Sequence, residues 1–366
     1  MNNNAIRTSS ERGFSLLELM VSTVIALIVI GTALTAFMNG VEINDIATQV
    51  GDASQNLRSG VNLLQRDLMQ TGRGIPTGGI SIPLASGGAT AIHRPPSNFA
   101  YFFDNTTSTT LTAVTTGAGK GPTIKGRTTD IVTLLMIDSI LDECLPTGAL
   151  QVNPSTATGA VPKLAADGSS FNVGPSTAWI AGDPVNAREP VKPGDLVLFT
   201  NPGGSTAIQT VTRVDASNVY FDAADPKDAF NFNQRGVTAG SITQLLGTQL
   251  TVQRVLMYTY YVDPASTTAP RLMRAANFST GQALAGVIED LELSYDLVDG
   301  VTNPTNVADL PYTAAGVTYS ANLIRKANLH IGVRSETMST KQRDYLRNHL
   351  TTVVSLRNLA FVDRYR

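Results

Sequence analysis

The chain has 366 residues, of which 15% are charged, with 27 Lys and Arg against 29 Asp and Glu, for a formal net charge of −2. Soluble domains ordinarily carry about 25% charged residues, and a near-neutral total excludes a general pull towards nucleic acid or acidic surfaces. The single cysteine, Cys144, excludes an intramolecular disulfide framework and a zinc site of paired thiolates, and three histidines leave little for imidazole-rich metal chemistry. Hydrophobic content of 42% is too low for a multi-span membrane protein.

Residues 1–13, MNNNAIRTSSERG, are polar and hold Arg7, Glu11 and Arg12. Residues 14–38 follow with a single charge, Glu18. A helix of that length covers about 37 Å, enough for a hydrocarbon core about 30 Å thick. Thirteen of its residues are Leu, Ile, Val or Phe. At about −0.3 to −0.6 kcal/mol each they outweigh one acid costing about +3 kcal/mol, so the segment inserts, with the basic leader cytoplasmic and the rest exported. A secretory signal would have a shorter apolar region and an A-x-A site, and no such motif occurs before Asn39. A plain anchor explains everything except Glu18, since a carboxylate inside an apolar helix signals a partner.

The run Arg12-Gly13-Phe14-Ser15-Leu16-Leu17-Glu18-Leu19-Met20-Val21 resembles the processing motif of type IV prepilins. The resemblance implies a leader of residues 1–13, cleavage after Gly13 by a prepilin peptidase, methylation of Phe14 by the same enzyme, and a mature chain of 353 residues. It also implies that Glu18, the fifth mature residue, meets the Phe14 amine of a neighbouring subunit and sets axial register in a filament. An uncompensated buried carboxylate costs several kcal/mol, which that ammonium relieves. Major pilins often have a kinking proline in this helix; here none occurs before Pro76, so an unkinked helix is expected.

Beyond Met38 the pattern turns amphipathic. Ile43, Ile46, Val50, Ala53, Leu57, Val61, Leu64 and Leu68 recur at spacings of three and four, one stripe of a helix that its own head should cover. Gly72, Gly74 and Pro76 end it. A helix over residues 15–70 would be about 84 Å long. The expected division is a membrane and filament-core helix over 14–39, an amphipathic half over 40–72 and a β-rich head over 73–366. Strand-like runs lie at 130–137, 195–200, 207–214, 219–222, 250–262, 291–297, 327–333 and 351–356. Two Gly, Pro, Ser and Thr-rich segments, 76–128 and 145–192, are long enough to hide short strands. The fold class is therefore α+β: one long helix on an antiparallel sheet with large loop insertions.

The order Tyr258-Thr259-Tyr260-Tyr261-Val262, Arg271-Leu272-Met273-Arg274, Leu284-Ala285-Gly286-Val287, Leu291-Glu292-Leu293-Ser294-Tyr295, Val333-Arg334-Ser335 and Ser355-Leu356-Arg357-Asn358 resembles the PilW-like minor pilins. Many pilins close a C-terminal loop with a disulfide, which Cys144 alone cannot do, so strand pairing or burial must fix this C terminus. The resemblance implies no cofactor and no enzyme activity. Its implied partners are the prepilin peptidase and N-methyltransferase, the major pilin, other minor pilins and the inner-membrane assembly platform. It places the precursor as a single-span protein of the bacterial inner membrane and the mature chain in a surface pilus, with roles in assembly initiation, adhesion or motility. Two rivals stand beside it: a type II secretion pseudopilin, and an adhesin or ligand-binding module on a pilin stalk that uses the two long loops.

Other constellations are weak. Gly117-Ala118-Gly119-Lys120-Gly121 lacks the first Gly and the Ser or Thr of a Walker loop and reads as a solvated turn. His93, His330 and His349 have no metal spacing, and no G-x-S-x-G elbow occurs. Asp296, Asp299, Asn303, Asn306 and Asp309 form an oxygen-rich loop of the kind calcium favours, without EF-hand spacing, and Asp222, Asp225 and Asp228 are similar. Such turns are also common for backbone reasons. Residues 325–366 hold nine Lys or Arg and three acids, net +6, which leaves residues 14–324 at −9. That contrast suits acidic faces of this head or of neighbouring subunits better than DNA, which is an unlikely partner without a stacking series or a nucleic-acid fold.

Overall fold

The computed structural model describes residues 15–85, 88, 90–138, 149–159, 162–175, 178–182, 189–236, 239–263, 265, 269–339 and 343–359. One uninterrupted helix, α1 (Leu16–Gln70, 55 residues), leads into a β-rich head. It is about 82 Å long. Thr71 closes it by donating its hydroxyl to the Asp67 carbonyl at 2.7 Å, and Gly72, at φ +81°, turns the chain away.

The apolar stripe is covered over a shorter length than its periodicity predicts. Leu57, Val61, Leu64 and Leu68 are buried and Ala53 packs against the same core, whereas Ile43 and Val50 remain 64% and 42% exposed. Among the described residues the head closes on α1 only in its second half, and the stripe below residue 50 is largely open, with Ile46 half-buried. Gly60 lies on the buried face, where a Cβ would come within 2.9 Å of the Ala285 Cβ. A glycine there lets helix and sheet approach closely.

The sheet beneath α1 runs in the order Thr206–Thr210, Leu196–Thr200, Leu250–Asp263, Arg271–Ala276, Gln282–Leu297, Ile324–Ser339, Asp344–Ser355. Leu250–Asp263 also pairs with Val132–Ile137 and Leu150–Val152, and all these pairs are antiparallel. The α+β architecture is thus as expected. In Ile324–Ser339, Ala327, Leu329, Ile331 and Val333 alternate inward onto the α1 core. Expected run 207–214 is two strands in different sheets. The chain leaves the main sheet after Thr210, and Arg213–Val214 joins Asn218–Tyr220, Ser170–Asn172 and Lys163–Leu164 in a separate four-stranded sheet. Strand Arg271–Ala276 went unpredicted because two arginines and two alanines mask its alternation. Both loop-rich segments do contain short strands, among them Ile92–Arg94 and Tyr101–Phe103 in the first and Ser170–Asn172 in the second.

The head has two principal cores. One lies between α1 and the sheet; the other is aromatic, with Phe171 5.7 Å from Trp179 and Phe199 5.3 Å from Phe221 between ring centroids. The C-terminal strand is fixed without a disulfide. Past Ser355, the Asn358 amide donates to the Met69 and Thr71 carbonyls at 3.2 Å each, and Leu359 is buried beside Gly72.

Candidate assembly interface

From Leu16 to Met38 the helix surface is apolar and open on every side, from Leu16 at 78% to Met38 at 70% exposure, and one window reaches a mean hydropathy of 2.3. Its four hydroxyls are spent on the helix itself: Ser22, Thr23, Thr32 and Thr35 donate to the carbonyls of Glu18, Met20, Val29 and Gly31 at 2.7–2.9 Å. In an apolar medium such back-bonding removes the cost of a bare hydroxyl. Glu18 is then the one strongly polar group on this surface. It sits in the first turn, where the helix dipole favours negative charge. Gly13 and Phe14 lie outside the described residues.

The head is clamped to α1 by a buried charge that the sequence reading did not single out. Asp67 is 1% exposed on the face that carries Leu64 and Leu68. Its Oδ2 accepts from the Tyr260 hydroxyl at 2.7 Å and from Arg274 Nε at 2.8 Å, and the ion pair brings Arg274 Nη2 to 2.7 Å. The Arg274 guanidinium also lies 3.5 Å from the centroid of the Tyr258 ring. Burial, and then the nearby Asp67 carboxylate, push the Tyr260 hydroxyl far above the usual phenol range. Burial pulls Arg274 down, but Tyr260 and Asp67 outweigh it and raise its pKa. Two segments quoted for their family likeness, 258–262 and 271–274, therefore converge on the helix. The signal was an acid set within the buried stripe.

Arg94, 3% exposed, ties the first long loop to the sheet by donating to the carbonyls of Thr116, Thr115 and Ile131 at 2.7, 2.9 and 3.2 Å and to the Thr133 hydroxyl at 3.1 Å. Desolvation brings its pKa down to about 10. Residues 117–121 form a turn in which Gly119 N donates to Asp130 at 2.7 Å, and the other Asp130 oxygen accepts from Leu293 N at 2.7 Å.

The oxygen-rich loop spends its carboxylates on its own backbone. Asp299 Oδ1 accepts from the amides of Val301, Thr302 and Asn303 at 2.8–3.0 Å, and Asn303 Oδ1 accepts from those of Asp299 and Gly300 at 3.1 Å. Asp296 takes the Asn306 amide at 3.1 Å, while Asp309 pairs with Thr116. Asp228 likewise accepts from Phe232 N and Asn233 N at 3.1 and 2.7 Å, Asp222 from Thr212 Oγ1 at 3.1 Å and Asp225 from Lys227 N at 2.8 Å. Among the described residues no grouping of three or more His, Cys, Asp or Glu could hold a metal ion. His330 and His349 lie 5.8 Å apart on the sheet face away from α1, His93 sits elsewhere on the head, and Cys144 lies outside the described residues.

The basic C-terminal strands find acids within the head. Glu289 accepts from Arg347 Nε at 2.8 Å and forms ion pairs with Arg334, whose Nε lies 3.1 Å away, and with Lys125, and Arg347 also binds Asp344 at 2.8 Å. Burial raises the Glu289 pKa, but the bonds from Lys125 and Arg347 outweigh it and hold the carboxyl below its ordinary range.

Residues 8–34 match the family model of the prokaryotic N-terminal methylation motif. Over that segment the chain is similar to type IV prepilins. Comparison with curated proteins and with solved structures returned no match. The motif implies processing by a prepilin peptidase and assembly with other pilins, and it suggests a structural rather than catalytic protein. Together with the exposed apolar half of α1 it fits anchoring in the inner membrane by a single span.

Proposed function

We propose that this prepilin-like chain is a PilW-like minor pilin, cut after Gly13, methylated at Phe14 and built into a type IV pilus through the lower half of α1. The observation that carries the reading is the methylation motif at 8–34 on a helix whose apolar half, Leu16 to Met38, none of the described residues of the head covers. In a filament, packed neighbouring helices replace lipid around residues 16–50. Glu18 then pairs with the Phe14 amine of a neighbour and sets register, because an unpaired carboxylate in that core costs several kcal/mol. A large head with long insertions suits a subunit that initiates assembly or sits at the tip rather than one that fills the shaft. Mass spectrometry of the N terminus from cells with an active prepilin peptidase tests the first step: a methylated Phe14 end supports it and an intact Met1 end refutes it. Deletion of the gene tests the second: loss of surface pili supports a pilus subunit, whereas blocked secretion with intact pili assigns the chain to a secretion piston.

A further inference from the structure

Between the membrane segment and the head, α1 has little outside itself to keep it helical. In a bilayer no water competes for backbone hydrogen bonds, so the apolar half from Leu16 to Met38 stays wound. The head grips α1 from Ala53 upward, where Ala53 packs on its core and Asn348 Nδ2 donates to Ser54 Oγ at 3.2 Å. Gln49 and Asp52 only border an open cleft beside it, of about 430 Å³. Residues 39–52 therefore cross about 20 Å of water, with Val41, Ile43 and Val50 46%, 64% and 42% exposed. Half of these fourteen residues are Gly, Asn, Asp or Thr, all weak helix formers. No Lys or Arg occurs between Arg12 and Arg58, so Glu42, Asp45 and Asp52 have no basic partner one turn away, and Glu42 and Asp45 repel each other three residues apart. Thr48 Oγ1 donates to the Asn44 carbonyl at 2.9 Å, a back-bond that weakens and bends a helix. Packing does not account for Gly40 or Gly51: a Cβ on either would meet nothing within 4 Å, unlike one on Gly60.

We propose that residues 39–51 are a hinge: in the membrane-held subunit this neck unwinds and rewinds, so the head swings on its anchor. A helix this short, unsupported in water, is marginal. Unwinding it stretches the neck from about 20 Å to as much as about 40 Å, which widens the volume the head can search. Neighbouring subunits that cover Ile43 and Val50 supply the missing packing and hold the neck helical, so the hinge closes on assembly. This hinge rests on the reading of Leu16 to Met38 as a membrane span. Gly31 is as open as Gly40, but it lies within that span, where unwinding would leave backbone groups unpaired in lipid.

The test uses the full-length protein in nanodiscs of phosphatidylethanolamine and phosphatidylglycerol, with amide exchange read by mass spectrometry. Amides of residues 40–51 should exchange at least about 100-fold faster than those of 57–68, while those of 20–35 stay protected. Gly40→Ala and Gly51→Ala together should slow exchange in the neck about 30-fold, at about fivefold for each glycine, and leave the melting temperature of the head unchanged. Spin labels on Thr35→Cys and Arg58→Cys, in a Cys144→Ser background, should give a broad distribution of distances, where a rigid helix gives a narrow one near about 35 Å. Neck exchange as slow as that of 57–68, exchange indifferent to the two alanines, or one narrow distance near the helical value overturns the hinge. Fast exchange over 20–35 as well overturns the membrane reading and the hinge with it, so the two failures are told apart.

Discussion

Substituting Arg274→Met should free the upper half of α1 from the sheet. The change keeps most of the side-chain volume but removes the Nε hydrogen bond at 2.8 Å and the ion-pair contact at 2.7 Å from an Asp67 side chain that is 2% exposed. Breaking a buried pair from one side costs about 3–5 kcal/mol, because the other charge stays desolvated. That is a large part of the 5–15 kcal/mol, roughly, that a domain has in total. Tyr260→Phe removes one hydrogen bond to a charged acceptor and should cost about 1.5–3 kcal/mol. Replacing all three groups together, as Asp67→Leu, Tyr260→Phe and Arg274→Met, leaves nothing polar behind and should recover most of the loss. The readout is hydrogen exchange of the α1 amides between Leu57 and Leu68 in the full chain in detergent. Fluorescence is unsuitable because the one tryptophan, Trp179, belongs to the other core. A loss below about 1 kcal/mol for Arg274→Met, or a triple variant no better than the single, would refute the reasoning.

Gly60→Leu should wedge α1 off the sheet, since even a Cβ would lie 2.9 Å from Ala285 and 3.3 Å from Leu272; overpacking of about 1–3 kcal/mol is expected in the same exchange assay. The head should lose stability in acid partly through Glu289, whose folded pKa lies below its ordinary value. Its contribution is complete above the unfolded value of about 4.3 and is lost as pH falls through the lower folded value, because the unfolded chain then binds the proton first. Melting curves of wild type and Glu289→Gln should therefore converge as the medium is acidified, and a constant offset would contradict this. Millimolar calcium should leave the melting temperature unchanged, because the Asp299 carboxylate already holds three amides; an upward shift would restore the loop as a cation site. Glu18→Ala should still fractionate with membranes yet enter filaments poorly, and normal incorporation would remove its proposed role in register.

What was legible in the sequence follows from how local each signal is. The helix could be read because its period and its glycine stop lie within one segment, and Leu57, Val61, Leu64 and Leu68 are buried as their spacing predicts. Where the head ends along that helix could not be read, since Ile43 and Val50 have the same spacing and only the position of the sheet leaves them open. The split at Thr210 is not legible because 207–214 is evenly strand-like, while the main sheet and the small sheet compete for it only in space. The Asp67 clamp joins residues 193 and 207 positions apart, so its one local trace was an acid on an apolar face. The contact of His93 with Phe278 was invisible for the same reason, since 185 positions separate the two rings in the chain.

Part of the uneven charge of the chain now has a physical account. Arg334, with a side chain 5% exposed, and Arg347 close on Glu289, an acid from the net-negative part of the chain. Arg334 also stacks 3.7 Å from the centroid of the Tyr345 ring. A guanidinium buried in this way has already lost its hydration and is directed inward, so it offers little to a phosphate or to an anionic surface. Such exposed pairs as Arg271 with Glu336, at 3.7 Å, contribute about 0–1 kcal/mol each. Arg334 and Arg347 therefore hold the head together, and salt should disturb assembly little through them. On the proposed reading, assembly depends instead on one carboxylate. Glu18 acts where water is excluded and the effective dielectric is low, so a single charge there outweighs many at the surface.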